Sequence, residues 1–214
     1  MMRNNGRILI IGITGNSGSG KSLIAGMCSE FGAYVINADE INHENMVVGK
    51  PAYDEIVGIF GADVLDESGA IDRRRLGAKV FDDKEQLRIL VDITHKHVIA
   101  ETLRRIAETT ASPRDYRFII IDAPLLIEAG MHEHCDEVWL VTADYETRLA
   151  RVRSRDLLSD EHIAKRFASG ASPSELAKHS HVVIENNFEN QHALKEYVSS
   201  LLVKRGIICQ RSKK

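Results

Sequence analysis

The 214-residue chain holds only three cysteines, Cys28, Cys135 and Cys209, scattered and odd in number. No C-x-x-C pair offers a zinc or redox site, and no disulfide framework is visible. No apolar run approaches the roughly 18 residues of a membrane span. The opening stretch, Met1-Met2-Arg3-Asn4-Asn5-Gly6-Arg7, carries no signal-peptide cleavage pattern. The expectation is a cytoplasmic protein with no membrane partner. An excess of one charge sign is also missing: 28 Lys and Arg stand against 31 Asp and Glu, a net of -3. That excludes a nucleic-acid partner held by overall basicity. Internal repeats and low-complexity segments are absent. What is present, 43% hydrophobic and 28% charged residues, suits an ordinary soluble core. The length suits a single α/β domain, residues 1 to 214, with inserted helical pieces.

Five short runs rich in Ile and Val read as strands: Ile8–Ile13, Tyr34–Ile36, Phe118–Ile121, Val138–Val141 and Val182–Ile184. They do not alternate with polar residues, as expected of strands buried on both faces of a parallel sheet. Helical stretches separate them, so right-handed β-α-β crossovers follow. The interval from about residue 38 to 110 is long. It carries patterned segments at Ala38–Val48 and Ala52–Phe60 and a charged helix over Lys84–Glu108, and it reads as an inserted helical region on the phosphate-acceptor side. Thr109-Thr110-Ala111-Ser112-Pro113 ends it with turn formers. The basic tail from Lys204 to Lys214 reads as frayed.

The most specific stretch is Gly15-Asn16-Ser17-Gly18-Ser19-Gly20-Lys21-Ser22, which fits the phosphate-binding pattern G-x-x-x-x-G-K-[ST] without a mismatch. A strand precedes it, and Leu23, Ile24, Met27, Cys28 and Phe31 follow at helical spacing. Glycines let the backbone curl so that successive N–H groups point inward at phosphate oxygens. The helix N-terminus adds partial positive charge. Lys21 is placed to reach the β- and γ-phosphates of a bound nucleotide, and Ser22 to ligate Mg²⁺.

Beyond the loop, candidates come from strand ends. Asp39 follows the second strand, where ligands of open α/β sheets bind, and a carboxylate there can take the proton of an acceptor hydroxyl. It also reads as a helix N-cap. Asp122 ends the third strand and reads as a metal-holding aspartate or as a plain turn residue. Arg148, Arg151 and Arg155 share one face of a helix at ~100° per residue, with Arg166 on the next helix. They suit the triphosphate charge under a lid spanning about 146–180, or a solvated ion-paired face. His95 and His97 diverge by ~200° and cannot chelate one ion together.

The chain resembles the dephospho-coenzyme A kinase family. The resemblance is carried by Val35-Ile36-Asn37-Ala38-Asp39-Glu40-Ile41, Gly49-Lys50-Pro51-Ala52-Tyr53, Phe60-Gly61, Ile71-Asp72-Arg73, Val80-Phe81, Ile93-Thr94-His95, Pro124-Leu125-Leu126-Ile127-Glu128 and Val183-Ile184-Glu185-Asn186-Asn187. It implies a three-layer P-loop kinase fold with strand order 2-3-1-4-5, a CoA-binding helical region and a lid. It also implies transfer of the γ-phosphoryl of ATP to the ribose 3′-hydroxyl of dephospho-CoA. Carried over by position, Lys21 and Ser22 match the P-loop pair and Asp39 the acceptor-side base. Arg73 and His95 match positions near the acceptor substrate, and Asp122 an acidic position before Pro-Leu-Leu. The chain departs from the family at Asn37 (usually Asp), Lys96 (usually Pro), Gly170 (usually Gln) and Leu176 (usually Lys). A kinase for another nucleoside or nucleotide, and a nucleotide-binding regulator without transfer activity, are the competing readings.

Overall fold

Strands covered by helices on both faces need apolar residues at successive positions, and this is how the strands of the chain are built. The computed structural model describes residues 7–81, 83–111, 116–156, 159–168 and 170–209. The chain divides into two units, one of Met1–Ile36 with Thr109–Lys214 and one of Asn37–Glu108.

The first unit centres on a sheet of β1 (Leu9–Thr14), β2 (Ala33–Asn37), β3 (Phe118–Asp122), β4 (Glu137–Thr142) and β5 (Val182–Glu185). The order is β2-β3-β1-β4-β5, as the family resemblance implies. β1 lies parallel between β3 and β4, with Ile13 opposite both Asp122 and Trp139. The helices α1 (Lys21–Glu30) and α9 (Gln191–Lys204) pack Ile24, Met27, Cys28, Leu194, Val198 and Leu202 onto Ile11, Ile13, Phe118, Ile120 and Trp139. The strands run one polar residue past the apolar runs, ending at Thr14, Asn37, Asp122, Thr142 and Glu185. Those last residues continue the backbone ladder although they add nothing to the apolar pattern. In this unit α6 (Tyr145–Asp156), α7 (Asp160–Ala168) and the short α8 (Pro173–Ala177) connect β4 to β5.

The second unit holds α2 (Ala38–Asn45), α3 (Pro51–Phe60), α4 (Arg73–Val80) and most of the 28-residue α5 (Lys84–Ala111). Its own core joins Ile56, Phe60, Val64, Leu76, Val80 and Ile93. Proline at the first position starts α3, and the Asp72 side chain caps α4 by accepting from Arg74 and Arg75 N–H groups. Two expectations change here. Thr109, Thr110 and Ala111 stay helical, so turn-forming composition did not stop α5 there; Ser112 and Pro113 lie outside the described residues. α4 was not apparent as a helix, because three successive arginines leave only Leu76 and Val80 to mark its buried face. At the tail, α9 and the turn after it are ordered structure through Cys209, while 210–214 lie outside the described residues.

Candidate active site

The loop between β1 and α1 is shaped by contacts that leave no room for side chains at two glycines. Gly15 has φ +145°, and a Cβ there would lie 2.0 Å from the Val141 carbonyl oxygen. Gly18 has φ +81° and sits against the α6 backbone, where a Cβ would come within 2.7 Å of the Arg148 carbonyl oxygen. The loop closes on itself through Ser19 N–H donating to the Asn16 carbonyl at 3.1 Å. Gly20 occupies the N-cap of α1, and no side chain caps the helix. A helix start without a side-chain cap suits an anionic acceptor. Lys21 and Ser22 open that turn, Lys21 half-buried and Ser22 exposed. Asn16 Oδ1, Ser17 Oγ and Ser19 Oγ are buried polar atoms with no hydrogen-bond partner among the described residues.

The outer side of the loop is held by side chains from far along the chain. Arg148 Nε donates to the Ser17 carbonyl at 2.9 Å. Arg151 Nη1 donates to the Gly18 and Ser19 carbonyls, both at 3.3 Å, and its Nη2 to the Asn186 carbonyl at 3.0 Å. The buried Asn186 adds a 2.8 Å bond from Nδ2 to the Ser19 carbonyl. Asn16 Nδ2 donates to the Ala171 carbonyl at 2.9 Å. The four candidate arginines therefore divide. Arg148 and Arg151 lie on the loop's carbonyls, whereas Arg155 and Arg166 both pair with Asp156. The Arg155 hydrogen bond, foremost, holds the Asp156 carboxyl below the usual range. Burial lowers the pKa of Arg148, whose guanidinium lies 4.2 Å over the Phe167 ring. Asp122 ends β3 and is only 4% exposed.

In the second unit, Asp39 is exposed in the first turn of α2. It is not the cap: the Asn37 side chain accepts from the N–H groups of Asp39 at 3.0 Å and Glu40 at 3.3 Å. Asn37 Nδ2 also donates to Glu40 Oε1 at 3.1 Å. Arg73 is the first residue of α4, and its Nη2 meets Nδ1 of His43. A guanidinium has only donors, so Nδ1 is the acceptor of this hydrogen bond. His43 lies four residues after Asp39, on the same face of α2. The signal for His43 in the sequence is the D-x-x-x-H spacing from Asp39 on a short helix. His95 is half-buried on α5. Its neighbours Lys96 and His97 both reach Glu55, at 2.9 and 2.7 Å. The His97 hydrogen bond, followed by that of Lys96, lowers the Glu55 pKa.

The sequence model of the dephospho-CoA kinase family matches residues 9–192. The chain belongs to the dephospho-CoA kinase family. It is 38% identical over 178 residues to the dephospho-CoA kinase of Carboxydothermus hydrogenoformans, covering 83% of this chain and 85% of that one. Among solved structures it resembles TT1252 from Thermus thermophilus, with TM-score 0.76 and 28% identity over 92% of this chain and 98% of the other. The dephospho-CoA kinase from Campylobacter jejuni shares the fold at TM-score 0.60 and 23% identity, covering 91% and 96%.

A dephospho-CoA kinase that spends ATP takes a divalent metal with the nucleotide. Among the described residues, no three His, Cys, Asp or Glu gather as a metal cage. An ATP-bound metal needs none, since phosphate oxygens and water supply most ligands of a hard cation. The Ser22 hydroxyl at the mouth of α1 and the Asp122 carboxylate at the end of β3 are hard oxygen donors on adjoining elements of one unit. The donor set fits. Of the departures from the dephospho-CoA kinase pattern, Asn37 serves as a helix cap and Lys96 as an ion-pair partner. Leu176 is 4% exposed, so an apolar side chain is buried at the position where the resemblance implies lysine. No helix among the described residues is long and apolar enough to cross a membrane.

Proposed function

We infer that this chain transfers the γ-phosphoryl group of ATP to the ribose 3′-hydroxyl of dephospho-CoA, giving CoA and ADP. The observation that carries the reading is a complete phosphate loop, with its helix N-terminus uncapped, in a chain matched by the dephospho-CoA kinase family over residues 9–192. The loop residues Asn16 to Ser22 cradle the phosphates through backbone N–H groups. Lys21 neutralises charge that grows on the transferring group. Asp39 receives the proton of the 3′-hydroxyl as its oxygen forms the new bond to phosphorus and the bond to the β,γ-bridging oxygen breaks. Arg73 engages the negative part of the acceptor, and His95 lines the acceptor side. Mg²⁺ is the metal, held by Ser22 and Asp122, and when bound it draws electron density from the phosphate oxygens. Arg155 and Arg166 supply cationic charge from the lid side, and Arg148 and Arg151 act on ATP from behind the loop.

The chain works as one P-loop kinase domain, with an acceptor region over about 38–110 and a lid over about 146–180. Its partners are ATP and dephospho-CoA, without nucleic acid or membrane, and its place is the cytoplasm. The test supplies ATP, Mg²⁺ and a panel of dephospho-CoA, adenosine, uridine and AMP, and identifies each product by mass. Dephospho-CoA is turned over with kcat/KM far above that of adenosine, because its remote groups help to position the hydroxyl. Equal use of adenosine, or a product other than CoA, overturns the assignment of substrate.

A further inference from the structure

Three consecutive carbonyls of the phosphate loop, those of Ser17, Gly18 and Ser19, each accept a hydrogen bond from a side chain more than 130 residues away. A peptide group is rigid and planar, with its C=O and N–H pointing opposite ways. A donor that fixes the C=O on the outer side of the loop therefore fixes the N–H toward the inner side. The Ser17 carbonyl shares its peptide with Gly18 N–H, and the Ser19 carbonyl with Gly20 N–H. Neither Arg148 nor Arg151 pairs with a carboxylate among the described residues, so their charge is spent on peptide dipoles. A cation at the carbonyl end of a peptide also makes its N–H a stronger donor.

Arg148 has a second attachment. Its guanidinium covers the Phe167 ring of α7 at 4.2 Å, and Phe167 meets the Tyr145 ring edge-on at 5.5 Å. The loop is thus joined through one side chain to both α6 and α7. Gly18 seats the tip of the loop directly on the Arg148 backbone.

We propose that Arg148 and Arg151 are positioning residues that hold the carbonyl face of the phosphate loop, keeping the Gly18 and Gly20 N–H groups aimed at the nucleotide, and that Arg148 ties this hold to helix α7 through Phe167. They do so without touching phosphate. The proposal rests on the reading of the loop as the ATP site, and the two can fail separately. The strap is measured on the protein without nucleotide, whereas the ATP site is measured by what ATP protects.

Hydrogen exchange read by mass spectrometry on the nucleotide-free protein tests it. Arg148→Gln and Arg151→Gln each raise exchange in the loop peptide about tenfold or more, since each removes charge-assisted bonds to the loop, and leave β3 and α9 as in wild type. In turnover, both lower kcat/KM for ATP, and Arg151→Lys does not restore it. An ammonium is a point donor and cannot span three carbonyls, although it would serve a phosphate well. Phe167→Leu raises loop exchange by a smaller factor, about threefold, through the lost ring contact. Wild-type loop exchange in both glutamine variants overturns the strap. Wild-type kinetics in Arg151→Lys overturns it in favour of direct phosphate contact. Wild-type loop exchange in Phe167→Leu overturns the link to α7. If ATP fails to protect the loop of the wild-type protein, it is the ATP-site reading that falls.

Discussion

The side-chain oxygen of Asn37 accepts the backbone N–H of Asp39 at 3.0 Å. One residue caps α2, and the carboxylate two positions on is left exposed for other work. Asp39→Asn is expected to lower kcat at least ~10²-fold, the usual reach of a general base, with ATP affinity and melting temperature unchanged. Asn37→Ala is expected to do the reverse, losing about 1 kcal/mol of stability with little change in chemistry. Thermal melts and single-turnover kinetics on the pair read both effects. Normal turnover in Asp39→Asn would remove the base assignment.

Lys21 opens α1 at the uncapped helix end. Lys21→Ala is expected to reduce kcat/KM by roughly 10²–10³, as removal of a preorganised charge at a transition state does. Activity within a few-fold of wild type would take Lys21 out of its role.

Gly15 and Gly26 make a contrast within twelve residues. A methyl at Gly15 meets a strand carbonyl at 2.0 Å and a φ of +145°, and nothing there can yield cheaply. Gly15→Ala is expected to cost at least ~2 kcal/mol and to abolish ATP binding. Gly26 lies inside α1 with nothing within 4 Å of an added Cβ. Gly26→Ala is expected to stabilise by up to about 1 kcal/mol through helix propensity. Urea denaturation of both variants provides the comparison.

Glu101 carries the clearest acid-side signature. The Arg104 hydrogen bond first, and that of Arg105 next, hold its carboxyl at about 2 against an ordinary 4.5. A carboxyl lowered by folding stabilises the folded state above its unfolded pKa, and that contribution is lost as pH falls from about 4.5 toward 2. Melting curves between those limits should therefore show wild type losing more stability than Glu101→Gln. Parallel curves would mean that the pairs of Glu101 with Arg104 and Arg105 contribute nothing.

Thiol reactivity should separate the three cysteines. Burial pushes Cys28 up to about 12, and burial with the Asp136 charge does the same to Cys135, while Cys209 is exposed. A disulfide reagent at pH 8 is expected to titrate one thiol rapidly in the folded protein and three in denaturant, because only thiolate reacts. Two fast thiols in the folded state would contradict the burial of Cys28 or Cys135.

The sequence by itself determined what is local and contiguous. Eight adjacent residues set the phosphate loop, since its shape depends on glycines at fixed offsets and on the strand and helix that flank it. Runs of Ile and Val marked the five strands found among the described residues, and the family pattern carried the strand order. Their polar last residues were illegible because backbone pairing continues past the apolar stretch. The tertiary structure alone decided partnership. Helical spacing placed Arg148, Arg151 and Arg155 on one face, but it could not say that two of them would hold the carbonyls of a loop more than 130 residues earlier while the third would turn to Asp156. That choice arises because β4 pairs with β1, which brings the start of α6 beside the loop that β1 feeds. The same holds for Asn37 and Asp39. Residue type offered Asp39 as a cap of α2, and the extended backbone of Asn37 at the end of β2 gave that place to the Asn37 side chain instead.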